Sequence, residues 1–115
     1  MSGDGSPGER VAMSQGTVYE FLWDPAKARS NARKHDVTFD QAATVFLDAL
    51  ALTVYDEPNS HDEERWFTLG FDATGKLLAV AHTYEITGST NARIRIISAR
   101  EASRRERNAY ENEPR

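Results

Sequence analysis

Residues 92–107 read ARIRIISAREASRRER, and two periods meet inside them. Ile94, Ile96 and Ser98 alternate with Arg93, Arg95 and Ile97, the two-residue repeat of a strand with one apolar and one cationic face. Ser98 and Glu101 fit the S-x-x-E capping box, in which each side chain satisfies a backbone donor that the first helical turn leaves open, so a helix is predicted to follow at once. Arg93, Arg95, Arg100, Arg104, Arg105 and Arg107, six of the fourteen basic residues, face only Glu101 and Glu106 here. Guanidinium groups stay charged and offer two parallel donors, so arginines held on a strand and a helix suit phosphate recognition.

Working outward, Tyr19, Phe21 and Trp23 alternate with Val18, Glu20 and Leu22, which predicts a strand over 17–23. Asp24-Pro25 is an N-cap followed by proline at the first helical position, so a polar helix should run to about His35, where Asp36 breaks it. Thr38 and Gln41 form a second capping box, and Phe39, Ala42, Ala43 and Phe46 recur on one helical face until about Asp48. Three strands follow at 50–56, 65–71 and 76–84. Turn chemistry at 57–64 and at 72–75 separates them, and a polar connection over 85–91 leads to the arginine strand. The predicted fold is α+β, an antiparallel sheet with packed helices in the order β-α-α-β-β-β-β-α. Residues 1–16, rich in Gly and Ser, read as a flexible leader, 17–112 as one domain and 113–115 as a tail.

A chain of 115 residues that is 39% hydrophobic supports one modest core. The absence of cysteine excludes a disulfide scaffold, a thiolate metal site and a cysteine nucleophile. No apolar run approaches the about 20 residues of a membrane span and no signal pattern opens the chain, so a cytoplasmic protein without a membrane partner is expected. The net charge of −4 argues against nucleic-acid binding by bulk charge, but charge is segregated. Residues 25–35 carry Lys27, Arg29, Arg33 and Lys34 with no acid, while 56–64 carry Asp56, Glu57, Asp62, Glu63 and Glu64. The irregular spacing of that acidic segment with His61 fits a solvated loop better than a coordination site, so no metal is expected.

Four separated runs, WDPAKARSNARKHDVTFDQAATVFLD (23–48), EERWFTLG (63–70), GKLLAVAHT (75–83) and RIRIISAREASRRERNAYE (93–111), resemble the BrnT-type toxins of bacterial toxin-antitoxin pairs. The resemblance spans Tyr19 to Glu111, departing at Asp36, where relatives commonly have glycine, and at Ala49, where they often have proline. It implies a RelE-like ribonuclease fold, metal-independent cleavage of RNA and growth arrest by the free toxin. It also implies neutralisation by a ribbon-helix-helix antitoxin (BrnA-like), expected in a toxin2-antitoxin2 assembly that meets DNA only through the antitoxin. No cofactor is implied.

Such cleavage needs a proton acceptor for the 2′-hydroxyl, a donor for the leaving oxygen and cations for the transferring phosphoryl group, and should leave a 2′,3′-cyclic phosphate. The candidate catalytic residues are His82, whose imidazole titrates near neutrality, with Arg95 and Arg100 for the phosphate. Lys27, Lys34, Arg65, Arg93 and Arg104 are the candidate RNA-binding residues. Each has a structural alternative. His82 shares a face with Leu78 and Val80, as a hydrogen-bonded core histidine would. The arginines could pair with Glu85, Glu101 or the acidic segment, Arg65 with its neighbours Glu63 and Glu64, and Glu106 could serve as structural glue to an arginine. At the level of function, the alternative is a non-catalytic RNA- or protein-binding module of the same fold.

Overall fold

A computed structural model describes residues 8–14 and 16–114. The elements are β1 (Gly8–Ser14), β2 (Thr17–Trp23), α1 (Pro25–His35), α2 (Phe39–Thr44), β3 (Leu52–Tyr55), β4 (Trp66–Phe71), β5 (Leu77–His82), β6 (Glu85–Gly88), β7 (Asn91–Glu101) and α3 (Arg104–Asn112). Among the described residues the fold is α+β, with three α-helices and one open sheet ordered β1-β2-β7-β5-β4-β3, β6 also pairing with β7.

Local chemistry starts α1 and α2 where the sequence predicts. Asp24 accepts from Ala26 N at 2.8 Å ahead of Pro25, and α1 ends at Asp36, which takes the left-handed conformation at φ 57° and donates its N–H to Ala32 O. Thr38 and Gln41 complete a capping box on α2, whose Phe39, Ala42 and Ala43 are buried, and a 3-10 turn carries Val45 and Phe46 on to Asp48. Asp72 accepts from Thr74 N and Lys76 N, and Gly75, at φ 91°, supplies the positive φ that closes the β4–β5 hairpin.

Four expectations are corrected. Residues 8–14, read as leader, form β1 paired antiparallel with β2. Part of the polar connection forms β6, a short strand antiparallel to β7. The sheet is mixed, because β2 and β7 run parallel, Phe21 beside Ile94 and Leu22 beside Arg95. The third helix begins five residues later than Ser98-Glu101 implies. β7 continues to Glu101, and the capping box is Ser103 with Glu106, which also has S-x-x-E spacing. Strand pairing with β5 as far as Leu78↔Glu101 overrides the local cap signal.

The register of β5 on β7 runs His82↔Ile96, then Ala81↔Ser98, so Ile97 is an extra, bulged residue. Alternation therefore changes phase: Ala92, Ile94 and Ile96 are buried before the bulge and Ala99 after it. Ile94, Ile96 and Ala99 join Phe21, Trp23, Leu78 and Val80 under α1 and α2, the main core. Burial of each large side chain there stabilises the fold by about 1.5–3 kcal/mol. On the other face Leu69, Leu77, Ala79 and Tyr110 form a smaller core beneath α3. Because of the bulge, Arg93, Arg95, Ser98 and Arg100 all share this second face.

Candidate functional site

The second face is covered by α3 at one end only. Beyond that cover lies a cleft of about 390 Å³ lined by Leu22, Glu63, Glu64, Thr83, Tyr84, Glu85, Arg93 and Arg95. Arg93 and Arg95 reach it from alternate positions of β7, and the acidic segment 61–64 borders it ahead of β4.

Every guanidinium here meets a carboxylate. Arg95 Nη2 donates to Glu63 Oε1, and Arg65 Nη2 lies 3.8 Å from the same oxygen. Arg93 Nε donates to Glu20 at 3.0 Å and Nη1 to Glu85 at 3.4 Å, and this hydrogen bond to Glu20, ahead of the charge itself, raises its pKa. Glu63 is held below the usual carboxylate range, first by the hydrogen bond from Arg95 and further by the charges of Arg95, Arg65 and Lys27. Two guanidinium groups, from the approach to β4 and from β7, thus meet at one exposed anion, with the charge of Lys27 in α1 also acting on it. The Arg65 Nε is buried without a hydrogen-bond partner among the described residues, leaving that guanidinium with an unused donor.

Arg100 lies on the same face about 13 Å farther along β7, four pleats beyond Arg95. Its Nη1 and Nη2 donate to the two carboxylate oxygens of Glu106 at 2.7 and 2.9 Å, a fork that ties α3 to the sheet. Glu106 also accepts from Ser103 N, and its pKa falls to about 2, chiefly through the Arg100 bond. The reading of Glu106 as glue to an arginine describes this geometry. Arg104 is exposed at the start of α3 and Lys34 at the far end of α1 from Lys27, so neither lines the cleft.

His82 is in the core instead of on the cleft wall, 0% exposed and edge-on to Phe46 at 4.9 Å. Its Nδ1 lies 2.8 Å from Thr83 O, which can only accept, so Nδ1 carries the proton. Nε2 then accepts from the Thr68 hydroxyl at 2.7 Å, and Thr68 in turn accepts from Thr53 at 2.9 Å. Burial lowers the pKa of His82 to about 4, so the ring is neutral at pH 7. Its link to the cleft is indirect: Thr83 N donates to Arg95 O at 3.0 Å and Thr83 Oγ1 accepts from Arg95 N at 3.2 Å.

Of the residues the sequence placed among the functional candidates, Arg93 and Arg95 line the cleft, Arg65 reaches the Glu63 on its wall, and Lys27 acts on that carboxylate by its charge. Sequence reasoning named Glu63 within the acidic segment that could pair with the arginines, and did not single it out; Glu63 is 32 residues from Arg95 in the chain. The only local signal was its place two residues before Arg65, which is the ion pair foreseen there.

The fold and cleft define a small α+β protein with a groove in which Arg93 and Arg95 lie among three glutamates. The protein-family model described as "Ribonuclease toxin, BrnT, of type II toxin-antitoxin system" matches residues 23–106, and the chain belongs to that family. Membership makes it a type II toxin with ribonuclease activity, hence with an RNA target and an antitoxin partner. No curated protein matches the chain. Among the described residues no helix is long and apolar enough to cross a membrane.

Proposed function

We propose that this toxin is a metal-independent endoribonuclease of RelE-like fold. The carrying observation is the meeting of Arg95 and Arg65 at the Glu63 carboxylate, because an anion already stands where a backbone phosphate would bind. Arg95 polarises the transferring phosphoryl group. Arg93, Arg65 and Lys27 hold the flanking backbone, and Arg100 borders the same face toward α3. Attack by the neighbouring 2′-hydroxyl yields a 2′,3′-cyclic phosphate, and loss of RNA in the cytoplasm arrests growth. A single toxin domain over 17–112 carries the activity. A ribbon-helix-helix antitoxin covers the cationic face, its dimer bringing two toxins to DNA.

Purified chain incubated with RNA in chelator should produce cyclic-phosphate ends. Arg95→Ala, folded by circular dichroism, should be slower by about 100-fold to 1,000-fold, the cost of one well-placed donor to developing charge. Undiminished cleavage by the variant would remove Arg95 from the mechanism. An oligonucleotide blocked at the 2′-hydroxyl should bind and remain intact. Light scattering of the toxin-antitoxin complex should give two copies of each chain, and a one-to-one complex would refute that assembly.

A further inference from the structure

With His82 enclosed in the core, the proton acceptor for the 2′-hydroxyl has to come from a group that faces the cleft. The lining carboxylates are Glu63, Glu64 and Glu85. Glu85 is directed to Arg93 at the β6 edge, whereas Glu63 is bonded to the guanidinium assigned to the reacting phosphate. Resting on the ribonuclease reading above, we infer that Glu63 is the general base: the substrate phosphate replaces it on Arg95, and the freed carboxylate takes the 2′-hydroxyl proton.

The exchange is chemically matched. A phosphodiester oxygen and a carboxylate oxygen are both anionic acceptors for a guanidinium, so Arg95 loses no partner when RNA binds. In the free protein Arg95 keeps Glu63 ionised and weakly basic. Once phosphate takes Arg95, the principal cause of that depression is removed and a second negative charge stands beside the carboxylate, and both changes strengthen the base. Lys27 and Arg65 remain to neutralise the pair. In the step itself, the 2′-oxygen gives its proton to Glu63 and forms a bond to phosphorus. The bond from phosphorus to the 5′-oxygen breaks, and the departing oxygen is protonated by water. Glu63 is exposed on a segment outside regular structure, so its side chain has room to change partner.

The test compares wild type with Glu63→Gln, which keeps an oxygen acceptor for Arg95 but removes the charge and basicity. Two readouts are needed. An all-2′-deoxy oligonucleotide, which cannot react, measures occupancy of the phosphate site by fluorescence anisotropy, and RNA of the same sequence measures cleavage. Glu63→Gln should bind the deoxy probe at least as tightly as wild type, because a competing anion is gone, while cleaving RNA about 100-fold to 10,000-fold more slowly, the range for loss of a general base. Cleavage equal to or faster than wild type would show Glu63 to be only a competitor and overturn the inference. Weaker probe binding by the variant would overturn it also, since the phosphate would then not be replacing Glu63. If wild type binds the deoxy probe but leaves RNA intact, the ribonuclease reading fails, and Glu63 as its base fails with it. The separation is that a failure confined to Glu63 leaves wild-type cleavage in place.

Discussion

The imidazole of His82 has both nitrogens engaged, Nδ1 as donor to Thr83 and Nε2 as acceptor from Thr68, so a proton could enter or leave only by breaking buried bonds. Its depressed pKa has a thermodynamic consequence. The unfolded chain binds a proton near pH 6.5 and the folded chain only near pH 4, so the stability due to neutral His82 is complete above pH 6.5 and is lost progressively as pH falls to about 4. His82→Asn retains a donor in the place of Nδ1 and cannot titrate. Urea melts at pH 7 and pH 4.5 should therefore differ less for the variant than for wild type. RNA cleavage by His82→Asn should stay within about tenfold of wild type, where loss of a proton-transfer group would cost about 100-fold to 10,000-fold.

Elements in this protein are joined by side chains that stand in for backbone. Beyond Leu22↔Arg95, β7 has no further strand partner on its β2 side among the described residues, and Asn31 of α1 bonds to that edge. Its Nδ2 donates to Ala99 O at 2.8 Å and Val37 O at 3.0 Å, and its Oδ1 accepts from Ala99 N at 3.1 Å, all buried. Asn31→Ala should cost about 2–4 kcal/mol in a denaturant melt, because it leaves buried peptide groups unmade. On the opposite face the Arg100–Glu106 fork secures α3. Glu106 has an ordinary pKa of 4.5 and a folded value of about 2, so its contribution is present above pH 4.5 and disappears as pH falls toward 2. Glu106→Gln keeps the cap to Ser103 and should flatten the loss of thermal stability between pH 4.5 and 2.5. In the sequence Glu106 already reads as glue to an arginine, whereas an asparagine on a basic helix reads as surface.

At the scale of the molecule, the cleft of this acidic protein sets Arg93 and Arg95 among Glu63, Glu64 and Glu85, and its arginines are held by carboxylates, Arg95 and Arg65 sharing Glu63. β1 lies at the edge of the sheet and all the candidate site residues come after it. A chain beginning at Gly16 should therefore keep a cooperative melt by circular dichroism and retain RNA cleavage. Loss of the β1–β2 ladder should lower Tm by several degrees, about 4–8 °C for each kcal/mol in a domain of this size. Loss of cleavage in a folded truncation would place β1 in the active unit.

The residues of this chain by themselves determined the caps of α1 and α2, the turn at Gly75, the face of α2 and the alternation that makes β7 a strand, because each depends on hydrogen bonds or periodicity within a few positions. Family membership was legible for the same reason, as four runs in order. Tertiary structure alone decided the parallel pairing of β2 with β7 and the bulge at Ile97, which brings Arg100 onto the face of Arg95. It also decided the burial of His82 and the meeting of Glu63 with Arg95. Those outcomes turn on long-range register and on competition for buried donors, and a capping signal at Ser98 yielded to a ladder of strand hydrogen bonds that no local window contains.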